Sequence, residues 1–196
     1  MEMKKIVNNR GSYIFTKMLD IEDLNTRMIN RIDEIGDEAL HMTNVKADCT
    51  LGKLHYQYEE FRKLANITED FCKESSGKIQ HEFANHIGRY NNPIWYETAI
   101  ASQYCNVMWG TRATSEQVTI PHDHWPSTWA FCYYIDPPKG CPNLFFPTLD
   151  YELEIQHGML VIFRGHLMHE SRSLPFEGDR YCVAGTVVFN PPQTQS

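Results

Sequence analysis

Ile120-Pro121-His122-Asp123-His124 is the stretch on which the reading of this chain turns. In an extended strand, side chains two apart share a face. His122 and His124 therefore form a pair on one side, and Asp123 projects to the other. Two imidazoles so placed need a third donor from a neighbouring segment to hold a metal ion. The later run Gly165-His166-Leu167-Met168-His169 offers two, and Arg180 follows it. His169 stands just past Met159-Leu160-Val161-Ile162-Phe163, a segment apolar enough to be a fully buried strand. A histidine there is well placed to face a cavity. His166, one short turn away, and Asp123, if the chain bends at Pro121, are the competing donors. Imidazole suits iron, zinc and copper alike.

Arg180 opens the apolar run Tyr181 to Phe189. A guanidinium in that position must find an anion or reach solvent, where Glu177 and Asp179 would pair with it. Its planar fork matches a carboxylate. Trp109, Trp125 and Trp129 are candidates for the rim of a substrate opening.

The bulk properties suit an ordinary globular protein. A length of 196 residues favours one domain over 1–196, with 1–90 mainly helical and 91–190 the strand-rich core. Hydrophobic residues make up 42% and charged residues 22%, which is unremarkable. A net charge of −7 argues against a nucleic-acid backbone as partner. No apolar run is long enough for a transmembrane helix, and Met1-Glu2-Met3-Lys4-Lys5-Ile6 lacks the apolar core of a signal peptide. The six cysteines contain no C-x-x-C pair; Cys72 falls in a helical pattern, and Cys105, Cys132 and Cys182 fall in apolar, strand-like segments. Buried free thiols in a cytoplasmic protein are the expectation.

Along the chain, Gly11-Ser12-Tyr13-Ile14-Phe15 reads as an early strand. Ile21, Leu24, Met28, Ile32 and Ile35 recur at helical spacing, with Asp20 as the expected cap and Gly36 as the stop. Residues 37–54 have no clear period and read as a loop or irregular strand. Two further helices are predicted over 57–74 and 78–88. From Asn91 the period changes to two, with Ile94, Tyr96, Thr98 and Ile100 alternating as in a strand. Thr111 to Glu116 reads as a polar loop. Strands are then predicted at 117–124, 128–135, 151–156, 158–164 and 180–189, and the tail from Pro191 as frayed. Helices first, then short strands, imply an α+β fold with a mainly antiparallel sheet, and two such sheets closing over a cavity make a jelly roll.

The run from His122-Asp123-His124-Trp125-Pro126-Ser127 through Cys132-Tyr133-Tyr134-Ile135 resembles the iron-binding segment of a family of 2-oxoglutarate- and Fe(II)-dependent oxygenases, distant relatives of prolyl 4-hydroxylases. Gly158 to Phe163, Leu167-Met168-His169, Gly178-Asp179-Arg180 and Phe189-Asn190 follow in the family's order. The resemblance covers about residues 100 to 190; residues 1 to 90 resemble nothing identifiable. It implies a double-stranded β-helix, a cupin-like jelly roll with the N-terminal helices packed on one sheet. It implies Fe(2+) held by His122, His124 and His169, and 2-oxoglutarate as co-substrate with its distal carboxylate on Arg180. Tyr133 and Tyr134 alternate faces, so one of them would turn a hydroxyl toward the co-substrate, with Asn106 a weaker candidate. The implied reaction consumes O2, releases succinate and CO2, and hydroxylates a small-molecule or peptide substrate. Two positions depart from the superfamily: an aspartate or glutamate usually stands where His124 is, and a serine or threonine often stands where Cys182 is. Two alternatives remain open at this point. One is a three-histidine dioxygenase that does not use 2-oxoglutarate, Arg180 binding the substrate's own carboxylate. The other is a non-catalytic cupin-like protein binding a metal or ligand.

Overall fold

The computed structural model describes residues 3–7, 12–41, 43–87 and 102–189, with 81–87 described by backbone alone. Two antiparallel sheets face each other. The larger is built from β1 (Lys4–Val7), β2 (Tyr13–Met18), β4 (Asp48–Cys49), β5 (Gln103–Ala113), β7 (Trp129–Asp136), β10 (Met159–Arg164) and β12 (Arg180–Phe189), in the spatial order β1-β2-β10-β7-β12-β5-β4. The smaller contains β3 (Val45–Lys46), β6 (Val118–His122), β8 (Leu144–Phe146), β9 (Tyr151–Leu153) and β11 (His169–Ser171), in the order β3-β6-β11-β8-β9. The expected jelly roll is therefore present. The N-terminal part contributes strands as well as helices, since β1 to β4 all precede residue 50.

The large sheet is buried on both faces, and strand alternation sorts its side chains into two cores. Trp129, Phe131, Tyr133, Leu160 and Ile162 point to one face, where α1 (Glu22–Ile35) and α3 (Glu59–Ile87) cover them with Met28, Ile32, Phe61, Leu64 and Phe71. Ala130, Cys132, Tyr134, Val161 and Phe163 point to the other, against Leu144, Phe146 and Leu153 of the small sheet. The chemistry sits at the open end of this second, inter-sheet layer.

Helix α1 starts without the expected cap: Ile21 occupies the cap position and no side chain, that of Asp20 included, bonds the first-turn N–H groups. Glu22 and Asp23 in the first turn complement the helix dipole instead. Gly36 ends the helix at φ 70°, its N–H donating to the Ile32 carbonyl.

The two helices predicted at 57–74 and 78–88 are one helix, α3, preceded by the short α2 (Leu54–Gln57). Tertiary contacts carry it through Ser75-Ser76-Gly77. Ser75 is buried, and the Ser76 hydroxyl accepts from Trp129 Nε1 at 3.2 Å and from Gln103 Nε2 at 2.9 Å. That anchoring outweighs the roughly 1 kcal/mol cost of a mid-helix glycine. The loop predicted from Thr111 starts later, because β5 stays paired with β12 as far as Ala113, opposite Arg180. The alternation expected at 91–100 and the polar tail from Pro191 lie outside the described residues. All six cysteines are buried free thiols, as expected from their neighbours. Among the described residues no helix is long and apolar enough to cross a membrane.

Candidate metal and co-substrate site

His122 ends β6, and His169 opens β11 directly opposite it; the two are Cα partners across the ladder. His124 lies just past the strand. Its backbone N–H donates to the Gly165 carbonyl at 2.7 Å, fixing it against the turn after β10. This contact requires a glycine: a Cβ at 165 would sit 2.1 Å from the Ser127 carbonyl oxygen. The three imidazoles converge. Their ring centroids are 4.3 Å (His122–His169), 4.9 Å (His122–His124) and 5.0 Å (His124–His169) apart. One ring nitrogen from each lies within 4.8 Å of the others.

The surroundings orient the rings. Nδ1 of His122 lies 2.8 Å from the Ile120 carbonyl, and Nδ1 of His169 lies 3.1 Å from the Leu167 carbonyl. Both bonds require Nδ1–H, which leaves each Nε2 lone pair free, the tautomer a metal ligand needs. Burial favours the neutral rings. His124 is pushed down to about 4 and His169 to about 3, chiefly by desolvation and secondarily by the neighbouring imidazoles. His122 is lowered for the same leading reason. The Phe163 ring packs 4.6 Å from His169 and Trp109 lies 5.8 Å from His124.

Arg180 is only 6% exposed, so a solvent role with Glu177 or Asp179 is excluded. Its Nη1 donates to the Pro142 carbonyl at 3.0 Å and to Ser171 Oγ at 2.7 Å. Nε is buried with no partner, and among the described residues no carboxylate pairs with this cation. A narrow pocket of about 50 Å³, open on one side, joins the three imidazoles to Arg180, with Tyr134, Cys132, Cys182 and Ser171 on its walls. Cys182 and Cys132 touch each other and face Arg180, and Tyr134 lies beside Cys132.

Other residues singled out by the sequence lie elsewhere. Tyr133 points into the helix-facing core, where its hydroxyl donates to Asn25 Oδ1 at 2.7 Å, so strand alternation removes it from the pocket and selects Tyr134. Asn106 does not line the pocket; it is exposed and is the extra residue of a bulge in β5, between Val107 paired with Thr186 and Cys105 paired with Val187. His166 is exposed, and Asp123 Oδ1 accepts from the Trp125 N–H at 3.2 Å, so neither competes with His169 as third donor. Trp129 is fully buried in the helix-facing core and is no part of an opening, whereas Trp125 is 74% exposed and Trp109 lines the pocket. Ser171 escaped the sequence reading: a lone serine on a three-residue strand has no periodicity to mark it.

No family model and no curated protein sequence matches the chain. Solved structures do. The viral collagen prolyl hydroxylase vCPH of Paramecium Bursaria Chlorella virus-1, in complex with 2-oxoglutarate, is similar over 88% of this chain and 94% of its own, with 14% identity and a TM-score of 0.55. HygX of Streptomyces hygroscopicus, with nickel and 2-oxoglutarate bound, is similar over 89% and 82%, with 11% identity and a TM-score of 0.55. NgTET1, in complex with 5mC DNA, is similar over 95% and 76%, with 12% identity and a TM-score of 0.54. The chain has the fold of these proteins. At such identities the likeness concerns the fold, and chemistry has to be argued from the site.

The residues present fit a divalent metal and an anionic chelate. Three neutral imidazoles with inward lone pairs form a tripod for a transition metal. The orphaned Nε of a buried guanidinium marks a place for a carboxylate.

Proposed function

We propose that the protein is a non-haem Fe(II)- and 2-oxoglutarate-dependent oxygenase that hydroxylates a small-molecule or peptidyl substrate. The observation that carries this reading is a buried, acid-free Arg180 at one end of a pocket whose other end is a three-imidazole tripod.

His122, His124 and His169 would hold the metal, and the Ile120 and Leu167 carbonyls keep two of the rings in the ligating tautomer. Arg180 binds the distal carboxylate of 2-oxoglutarate. Ser171, already bonded to Arg180, and Tyr134 supply the hydroxyls that the sequence lacks at Cys182. Phe163, Leu144 and the Cys132 and Cys182 thiols exclude water around that carboxylate, which strengthens its pairing with Arg180. When bound, ferrous iron with 2-oxoglutarate and O2 supplies the oxidising chemistry, releasing succinate and CO2 and delivering an oxygen atom to a substrate C–H bond. Charge supports a dianionic co-substrate: with three neutral ligands the metal keeps its full charge, and Arg180 adds another.

The all-imidazole ligand set favours one competing reading, a three-histidine dioxygenase in which Arg180 binds the substrate's own carboxylate. Incubation with Fe(II), O2 and 2-oxoglutarate, measuring succinate, separates the two. Succinate release that Arg180→Met suppresses supports the proposal. Metal binding without 2-oxoglutarate binding or succinate release would leave the competing reading in place.

A further inference from the structure

A second cleft, of about 290 Å³, opens on the other side of the tripod and shares Val45, Trp109, His122 and His124 with the first pocket. Its remaining walls come from the connection that carries β3 and β4, between Ala39 and Gly52, and from Val107 and Asp123. Gly52 lets that connection close on β5: a Cβ there would meet Val107 Cγ1 at 2.5 Å. The two cavities differ in charge. The Arg180 end is cationic and buried. Among the described residues no lysine or arginine lines the second cleft, and its one charged side chain is Asp123.

The polar groups of this cleft are mostly spoken for. The Thr50 hydroxyl accepts from the Gly110 N–H and donates to the Leu51 carbonyl. The Thr43 hydroxyl bonds Val45. Asp123 commits Oδ1 to the Trp125 N–H, and its Oδ2 has no partner among the described residues. Asp123 is exposed, and as the one negative charge on a cleft otherwise lined by neutral groups, Val107 and Trp109 among them, it favours a donor with positive charge on an apolar body. With the metal's charge balanced by the 2-oxoglutarate dianion, a carboxylate or phosphate would meet Asp123 with no lysine or arginine among the described lining residues to offset it. The overall charge of −7 adds to the same preference at long range.

We propose that the substrate bound beside the metal carries an ammonium group on an apolar chain, and that Asp123 is the residue that selects it. This rests on the oxygenase reading of the tripod and Arg180. The volume of the cleft suits a small amine or a single side chain rather than a larger body.

The test uses the full chain loaded with zinc, a diamagnetic stand-in for iron, and 2-oxoglutarate. Hexylamine, hexan-1-ol and hexanoate are titrated while the indole N–H cross-peak of Trp109, assigned with W109F, is followed by NMR. Hexylamine should shift that peak and bind more tightly than hexanol by up to about fivefold, the size of an exposed ion pair, with hexanoate weakest. Asp123→Asn keeps Oδ1 for the turn and should bring hexylamine to the level of hexanol. In the unaltered protein the preference for hexylamine should shrink with added salt. Nα-acetyl-lysine N-methylamide, run beside hexylamine, distinguishes a peptidyl source of the ammonium from a free amine. Hexanoate binding as tightly as hexylamine, or D123N leaving the amine affinity unchanged, overturns the inference. Zinc and 2-oxoglutarate binding, measured separately by calorimetry, tests the oxygenase reading, so each can fail without the other.

Discussion

Replacing Arg180 by methionine separates a binding role from a structural one. The guanidinium is 6% exposed and donates to two neutral oxygens, with Nε unpaired. Methionine of similar length removes an uncompensated buried cation, whose desolvation costs several kcal/mol. It also strands the Pro142 carbonyl and the Ser171 hydroxyl, at about 1–2 kcal/mol each. These terms oppose each other, so stability in urea should change by no more than about 1 kcal/mol. Binding of 2-oxoglutarate should respond very differently. Two charge-assisted hydrogen bonds to a carboxylate, worth about 1.5–3 kcal/mol each, disappear. Allowing for partial replacement by Ser171 and Tyr134, a loss of about 3–4 kcal/mol, roughly 100- to 1,000-fold in Kd, is expected by calorimetry on metal-loaded protein. The opposite result is an R180M protein that loses more than about 3 kcal/mol of stability while holding 2-oxoglutarate as tightly as before. That result would make Arg180 a structural cation whose partners are Pro142 and Ser171 alone.

Four further outcomes follow. Tyr133→Phe should cost about 1–2 kcal/mol in urea unfolding by stranding Asn25, and leave 2-oxoglutarate affinity unchanged, whereas Tyr134→Phe should weaken that affinity. Gly165→Ala, with its Cβ driven against the Ser127 carbonyl, should displace His124, lower stability by about 2 kcal/mol or more and weaken metal binding in calorimetry. Metal-free protein should lose stability in acid: His124 and His169 titrate at about 4 and about 3 when folded against 6.5 when unfolded, so the unfolded chain takes up protons first as pH falls below 6.5. Two such rings amount to about 4 kcal/mol of destabilisation between pH 7 and pH 5, measurable by urea titration at each pH. His169→Ala should abolish metal binding while removing one of those acid-sensitive groups, so its stability should fall less steeply over the same range.

The legibility of this fold in the sequence followed the strength of local patterns. Long apolar or alternating runs such as Trp129–Asp136, Met159–Arg164 and Arg180–Phe189 announced their strands because burial on both faces demands them. Strands of two or three residues, among them Leu144–Phe146 and His169–Ser171, are too short to show a period, yet they build the wall that carries Ser171 and the third histidine. The helix break expected near Gly77 failed because Ser76 is held by Trp129 and Gln103, contacts distant in sequence. The histidine pair was visible from its spacing. The choice between Tyr133 and Tyr134 was not, because in a strand buried on both faces each tyrosine sits among apolar neighbours. Only the register against β10 and β12, and the helices on one side, decide which of them meets the pocket.

The most direct measurement is the visible absorption of the anaerobic protein given Fe(II) and then 2-oxoglutarate. A weak band arising only when both are present, absent in H169A and weakened in R180M, is the predicted result. A protein that takes up Fe(II) but gives no band at saturating 2-oxoglutarate, or whose band survives the loss of His169, would contradict a keto-acid chelate held between the three imidazoles and Arg180.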